Sequence, residues 1–248
     1  MTIHDGGIMA AFLAVFSGAA SAQILGSAQE FGVLAGSTVT NTGPSVITGS
    51  LGVSPGFAVT GFPPGLVVDG TIHAGDAVAQ QAQNDVTTAY NALAGLVLTQ
   101  DLTGTDLGGL TLTPGVYFFA SSSFLTGTLT LDAQGDSDAQ FVFQMGSTLI
   151  TASNSSVITI NNGDACNVYW QVGSSATLGA DTRFQGSILA FTSITLNTGA
   201  TLVEGRALAR NGAVTLDSNI ITAGCIPAPG APLLLCAMLV GVSARRRR

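Results

Sequence analysis

Acids, bases, nucleophiles and metal ligands are where chemistry starts, and few of them lie close together in this chain. The densest group is Asp132, Asp136 and Asp138, in "DAQGDSD". Carboxylates this close are the raw material of a calcium loop. Their spacing does not fit an EF-hand, so the expectation is a solvated corner and no metal. Two histidines are present. His4 falls in a leader described below, and His73, in "TIHAGD", stands near a helix start and reads as a structural residue. No Ser-His-Asp or Cys-His set follows from two such histidines. The chain has no lysine, and its body offers Arg183, Arg206 and Arg210 as bases. An enzyme is therefore not expected, and no cofactor is called for.

Composition points the same way. Of 248 residues, 8% are charged and 46% hydrophobic, with 32 glycines and dense Ser and Thr. Disorder needs low hydrophobicity and high charge, so the chain is not disordered. The net charge of −7 disfavours nucleic acid, whose phosphates are held by Lys and Arg. Many glycines and few charges predict an all-β fold with tight turns.

The body repeats itself. Aromatic or aliphatic runs followed by small hydroxyl residues recur, as in "VYFFASSSFLTGTLTL" from Val116, "FVFQMGSTLITASN" from Phe141, "VYWQVGSSATLGADT" from Val168 and "SILAFTSITLNTGAT" from Ser187. A Thr-Leu pair marks positions 111/112, 130/131, 177/178, 195/196 and 215/216. A period near 19 residues with short β segments signals a solenoid, one coil per repeat. Within each coil Leu and Val face in while Thr and Ser face out. One segment departs from this. In Asp76 to Leu96, the residues Val78, Ala82, Val86, Ala89, Leu93 and Leu96 are spaced by three and four, which predicts one face of a helix. Asp76 suits its cap and Gly95 its stop.

Both ends read as addresses. Residues 1–22 hold an apolar run closing on Ala20-Ser21-Ala22, a signal-peptide cleavage pattern before Gln23. The n-region departs from the rule by lacking Lys and Arg and carrying Asp5. Residues 226–248 hold prolines, about a dozen apolar residues and Arg245 to Arg248. This order of parts resembles the PEP-CTERM sorting signal of Gram-negative bacteria, with Pro227-Ala228-Pro229 in place of Pro-Glu-Pro. The resemblance implies export through the inner membrane, transient processing of the tail by an exosortase-type protease, and a secreted or cell-surface body. A plain membrane anchor is the other reading of the tail. Cys236 lies in that tail, leaving Cys166 and Cys225 as an even pair in an exported domain over 23–225. A disulfide is expected between them, two buried thiols being the alternative.

The stretches "FGVLAGSTVTNTG" (31–43), "GSLGVSPG" (49–56), "GTIHAGDA" (70–77), "DLGGLTLTPGVY" (106–117), "CNVYWQVGSSATLG" (166–179), "TSITLNTGAT" (192–201) and "GRALARNGAVTLD" (205–217) together resemble the ice-binding, or antifreeze, protein family of bacteria, fungi and algae. The family implies a right-handed β-solenoid of triangular section with one long α-helix packed alongside. It also implies an N-terminal coil beside the last one, and one flat side that adsorbs to an ice crystal and inhibits its growth and recrystallisation. A monomer is expected.

The family's ice face carries Thr-Ala/Gly-x-Thr/Asn. That pattern places Thr151, Ser153 and Asn154 on the face, with Thr198, Ala200 and Thr201. Aligning the repeats adds Thr126, Thr128, Thr182 and Ser218, with Asp181 as a departure. A second outward column, Ser122, Ser147, Ser174 and Ser193, is the alternative. Stiff Thr side chains on a flat stack suit a water-ordering surface, since methyl and hydroxyl lie side by side. The rival function is a matrix or adhesion solenoid associated with exopolysaccharide. Microscopy of ice crystals grown with the protein separates the two.

Overall fold

The computed structural model describes residues 24–224. The leader, the tail, Cys225 and Cys236 lie outside the described residues. Short strands dominate, because stretches such as Ala176-Thr177-Leu178 alternate a buried apolar residue with an outward hydroxyl. Glycines and Asn or Asp residues in left-handed backbone turn the corners between them. The strands run parallel in sheets of nine, seven and eight. Each full coil gives one strand to each sheet, so the sheets form the three sides of a β-solenoid.

Stacking order does not follow chain order. In the nine-stranded side the sequence of neighbours is Ile72–Ala74, Ser50–Val53, Phe31–Ala35, Ala207–Ala209, Ser187–Ala190, Val168–Val172, Phe141–Met145, Gly115–Phe119 and Gln100–Asp101. The first coils thus stack on the last, with Val33 beside Ala207. The chain then returns to the far end of the stack through a helix. Ala77–Ala94 has 18 residues, roughly 27 Å at about 1.5 Å per residue. Nine strands span roughly 38 Å at about 4.8 Å each, so the helix covers most of this side.

The helix forms as the spacing predicts, with two changes at its ends. Asp76 caps it by accepting from Ala79 N–H at 2.9 Å, and Gly95 ends it. Ala79, Ala82, Val86, Ala89 and Leu93 are buried against Leu34, Val142, Tyr169, Leu189 and Leu208. Val78 and Leu96, expected on that face, are 46% and 43% exposed. Ala79 takes the place of Val78, because a methyl lets the helix start lie close to the sheet. Polar side chains lock the contact: Gln83 donates to Ala209 O at 3.0 Å, Gln144 to Leu93 O at 2.7 Å, and Tyr90 to Val172 O at 3.3 Å.

The interior narrows along the stack. From Tyr117 to Phe143 to Trp170 the partner numbers advance by 26 and 27; from Trp170 to Ile188 to Ala207 they advance by 18 and 19. Long coils enclose a wider section. The stacked rings of Tyr117, Phe143 and Trp170 fill it, with Phe143 and Trp170 centroids 3.9 Å apart. Short coils hold Ile188, Ala207 and Val33 instead.

Candidate functional site

One of the three sides is open to solvent and regular. The helix covers the nine-stranded side. The eight-stranded side mixes Arg183, Gln185 and Thr201 with exposed Ile158, Val203, Ile220 and Leu66. On the seven-stranded side a single central column reads Phe124, Ile150, Thr177, Thr195, Thr215, Thr40 and Thr60. Five consecutive rungs are threonine. Thr40 and Thr215 bring their hydroxyls to 3.4 Å across adjacent rungs.

The flanking columns are also small and polar. The residues preceding each strand's first inward position are Thr148, Ser175, Ser193, Ala213 and Thr38, all partly exposed. On the other flank stand Thr126, Ala152, Asn197, Asp217 and Thr42. Rungs repeat at about 4.7–4.9 Å and alternate residues at about 6.6–6.8 Å, so the side presents a two-dimensional lattice of hydroxyls and methyls. A charge does interrupt it. Asp217 accepts from the Thr198 hydroxyl, and from Ser218 Oγ at 3.2 Å, so its carboxylate is held within the corner.

The residues expected from the Thr-Ala/Gly pattern do not form one column. Thr151 is 3% exposed and Thr182 fully buried; both point inward, their hydroxyls 3.0 Å apart. Thr151 Oγ1 also accepts from Gly179 N–H at 2.9 Å. Ala200 is buried. Thr128 and Thr201 stand on the eight-stranded side. Ser153, Asn154, Thr198 and Ser218 lie at the corner between the two sides, and Thr126 stands at the end of the outer flank. In the serine column, Ser193 flanks the threonines and Ser122 flanks the Phe124 rung at the end of the same column, whereas Ser147 and Ser174 sit one residue earlier, toward the nine-stranded side. Thr151 pairs with the rung of Leu125, whereas Thr198 falls two residues past Leu196, beyond the end of its strand. The two are thus not equivalent.

The corner itself explains why the pattern recurs. Asn154, Asp181, Gly199, Ser218 and Gly43 succeed one another there, each with φ between 55° and 76°. The N–H groups of the first four donate across to the next coil: Asn154 to Ala180, Asp181 to Thr198, Gly199 to Asp217, and Ser218 to Thr42. Left-handed backbone favours Gly, Asn and Asp. The pattern is therefore a turn signature, not a row of outward threonines. The Thr-Leu marker likewise runs on two sides, since Thr111 and Thr130 pair on the eight-stranded side. A Thr-Leu pair satisfies alternation on any side. The central threonines were hidden in the marker itself; the signal was Thr between two buried apolar residues in Ala176–Leu178, Ile194–Leu196 and Val214–Asp217.

The residues singled out for chemistry brace turns. Asp132 accepts from Asn161 Nδ2 at 2.7 Å and Gln134 N–H at 2.8 Å, and Asp136 accepts from Asp138 N–H at 2.9 Å. Asn161 first, then the Gln134 N–H, hold the Asp132 carboxyl below its ordinary pKa. His73 lies between Thr71 Oγ1 at 2.8 Å and Asp76 Oδ2 at 2.7 Å. Hydroxyl, imidazole and carboxylate stand in the order of a hydrolase triad, but Asp76 also caps the helix. The Ala79 N–H, then His73, keep the Asp76 carboxyl below its ordinary value. Arg206 is buried and clasps both ends of the body, donating to Gln29 O at 2.9 Å and Gly224 O at 2.6 Å. Burial lowers its pKa to about 10. Cys166 is disulfide-bonded, and its partner lies outside the described residues.

A family model described as Ice-binding-like matches residues 33–222. The chain belongs to that family. An ice-binding protein of Nostoc sp. (strain HG1) is 65% identical over 211 residues, covering 85% of this chain and 78% of the relative. An ice-binding protein of Colwellia sp. is 34% identical, over 84% and 87% of the two chains. Among solved structures, an ice-binding protein from an Antarctic biological consortium superposes with a TM-score of 0.77 at 52% identity, over 80% of this chain and 89% of that one. One from the Antarctic ascomycete Antarctomyces psychrotrophicus gives 0.77 at 46% identity, over 80% and 96%. The Ice-binding-like match spans all three sides of the solenoid and the helix.

Proposed function

We propose that this chain binds ice through its seven-stranded side and so restrains ice growth and recrystallisation. The observation that carries this reading is the column of five in-register threonines, Thr177, Thr195, Thr215, Thr40 and Thr60. Each β-branched side chain is stiff at χ1, so its methyl and hydroxyl hold fixed positions on a rigid strand. The methyls disfavour bulk-like hydration beside them. The hydroxyls each hold one water in place. Rows of such waters join a growing ice surface, and the many small contacts sum over the side. Flanking Ser, Ala and Asn residues keep the lattice low enough for close approach. No step in this process needs an acid, base, metal or cofactor. Its relatives' name is the second support. An expected leader over 1–22 and sorting tail over 226–248 are consistent with a domain that works outside the cell, where it would meet ice.

The test is a pair of variants measured for thermal hysteresis after each is shown to fold. Thr195→Tyr raises a ring from the middle of the lattice and is expected to lose at least fivefold in activity. Thr130→Tyr, outward on the eight-stranded side, is expected to keep its activity. The reverse pattern moves the ice face to the eight-stranded side. Loss in neither variant overturns the reading.

A further inference from the structure

Where the seven- and eight-stranded sides meet, a groove of about 480 Å³ runs past Asn154, Ser156, Asp181, Arg183, Gly199 and Thr201. Its charges are unlike others in the molecule. Arg206 is buried among carbonyls, and Arg210 lies over the rings of Tyr90 and Phe191 at 4.6 and 5.2 Å. Among the described residues Arg183 is the arginine left to solvent, its guanidinium making no hydrogen bond or ion pair inside the fold. Asp181, also exposed, has none for its carboxylate. Two opposite charges thus share one recess and neutralise neither each other nor a neighbour.

The corner backbone holds them there. Asn154 and Asp181 have φ of 60° and 56°, and both are exposed. Gly199 follows with φ 73°, and a Cβ there would stand 2.5 Å from Asp181 Oδ1. Glycine at this rung leaves room for the carboxylate. Ser156 and Thr201 flank Arg183 on the two neighbouring strands of the eight-stranded side, each directly in register with it.

We infer that this groove is a second binding site, separate from the ice face, for a hydroxyl-rich carbohydrate chain. Guanidinium, carboxylate and amide are planar groups that each engage two neighbouring hydroxyls. Together they supply donors and acceptors in one recess, with two further hydroxyls beside them. A free anion is opposed by Asp181 and a free cation by Arg183, whereas a neutral polyol satisfies both. Flat ice cannot enter a recess at a corner. The volume falls within the range of about 300–1,000 Å³ usual for small-molecule sites. Such a site would hold an ice-binding chain on a glycan-coated surface while the threonine side stays free.

The full chain is titrated by calorimetry with cello-, malto- and chito-oligosaccharides, and separately with inorganic phosphate. At least one oligosaccharide is expected to bind, at least tenfold more weakly to Arg183→Gln and to Asp181→Asn. Both variants keep the corner backbone's preferences and are expected to melt with the parent. Thr195→Tyr is expected to bind the sugar unchanged, so loss of ice binding and loss of sugar binding are read separately. Binding to none of the three oligosaccharides overturns the inference. So does sugar binding unaffected by both variants, or phosphate binding that Asp181→Asn strengthens.

Discussion

Thr195 and Thr151 are the same residue type on strands two apart on the same side, yet one faces water and the other the core. Thr195 lies between Ile194 and Leu196, both buried, and alternation turns it outward. Thr151 occupies an inward position, the rung of Leu125, and its hydroxyl serves Gly179 N–H and Thr182. The two therefore respond oppositely to substitution. Thr151→Val removes the acceptor for a buried N–H, which costs about 1–3 kcal/mol. Thermal unfolding should register the loss, with thermal hysteresis unchanged once the variant is held well below its melting point. Loss of hysteresis without loss of stability would return Thr151 to the ice face. Residues 151–154 turn a corner rather than form an outward row, and the reason is local. A threonine, two small residues and an asparagine in succession describe a left-handed corner as well as they describe an outward row.

At the scale of elements, the helix works as a cover for the nine-stranded side. Its buried stripe meets Leu34, Val142, Tyr169, Leu189 and Leu208, which would otherwise form an exposed apolar side. Val86 is fully buried in that contact. Val86→Asp places an unpaired charge there, and a loss of at least about 3 kcal/mol is expected. For a domain of this size that corresponds to roughly 6–12 °C in melting temperature. Ice shaping by the folded fraction should persist. A variant as stable as the parent but unable to bind ice would put the helix in the ice site. The helix also fastens the start of the body. Partial burial pushes the Asp85 pKa up, but the Ser27 hydroxyl at 2.6 Å, its N–H at 2.8 Å and Gln81 outweigh this, leaving the carboxyl below its ordinary 3.8. A depressed folded pKa contributes stability that is present above the unfolded value and lost as pH falls through the folded one. Asp85→Asn should thus be less stable than the parent by on the order of 1 kcal/mol at neutral pH. Denaturant titrations should show that gap closing below about pH 4. A gap constant from pH 7 to pH 2 would remove Asp85 from this role.

The whole molecule is a stack whose first coils rest on its last. Arg206 ties Gln29, before the first strand, to Gly224, after the final one. The disulfide at Cys166 works in the same direction. We expect its partner to be Cys225, which would close a loop of 59 residues (225 − 166). In the chain-entropy account that constrains the unfolded chain by about 4 kcal/mol. Peptide mapping without reduction should recover residues 166 and 225 on one linked fragment; linkage of Cys166 to Cys236 instead would refute the pairing. Reduction should lower the melting temperature without abolishing the fold, since coil-on-coil stacking holds a solenoid together.

Sequence alone determined the architecture, because its signals are local. Alternation in Ile194–Leu196 or Val214–Asp217 fixes which residues face in, a period near 19 residues sets the coil, and the spacing from Ala82 to Leu93 sets the helix face. The list of absent chemistry was equally local: no lysine, two histidines, and aspartates that go to turns. The side on which each strand lies was decided only in three dimensions. Coils differ in length by up to eleven residues, from 17 to 28, so residues at equal spacing along the chain fall on different sides. Thr111 and Thr195 share a motif but not a sheet. The column of five threonines depends further on the first coils docking against the last. Thr40 and Thr60 reach the rung beyond Thr215 only through that long-range pairing, and no local pattern records which coil will lie beside which.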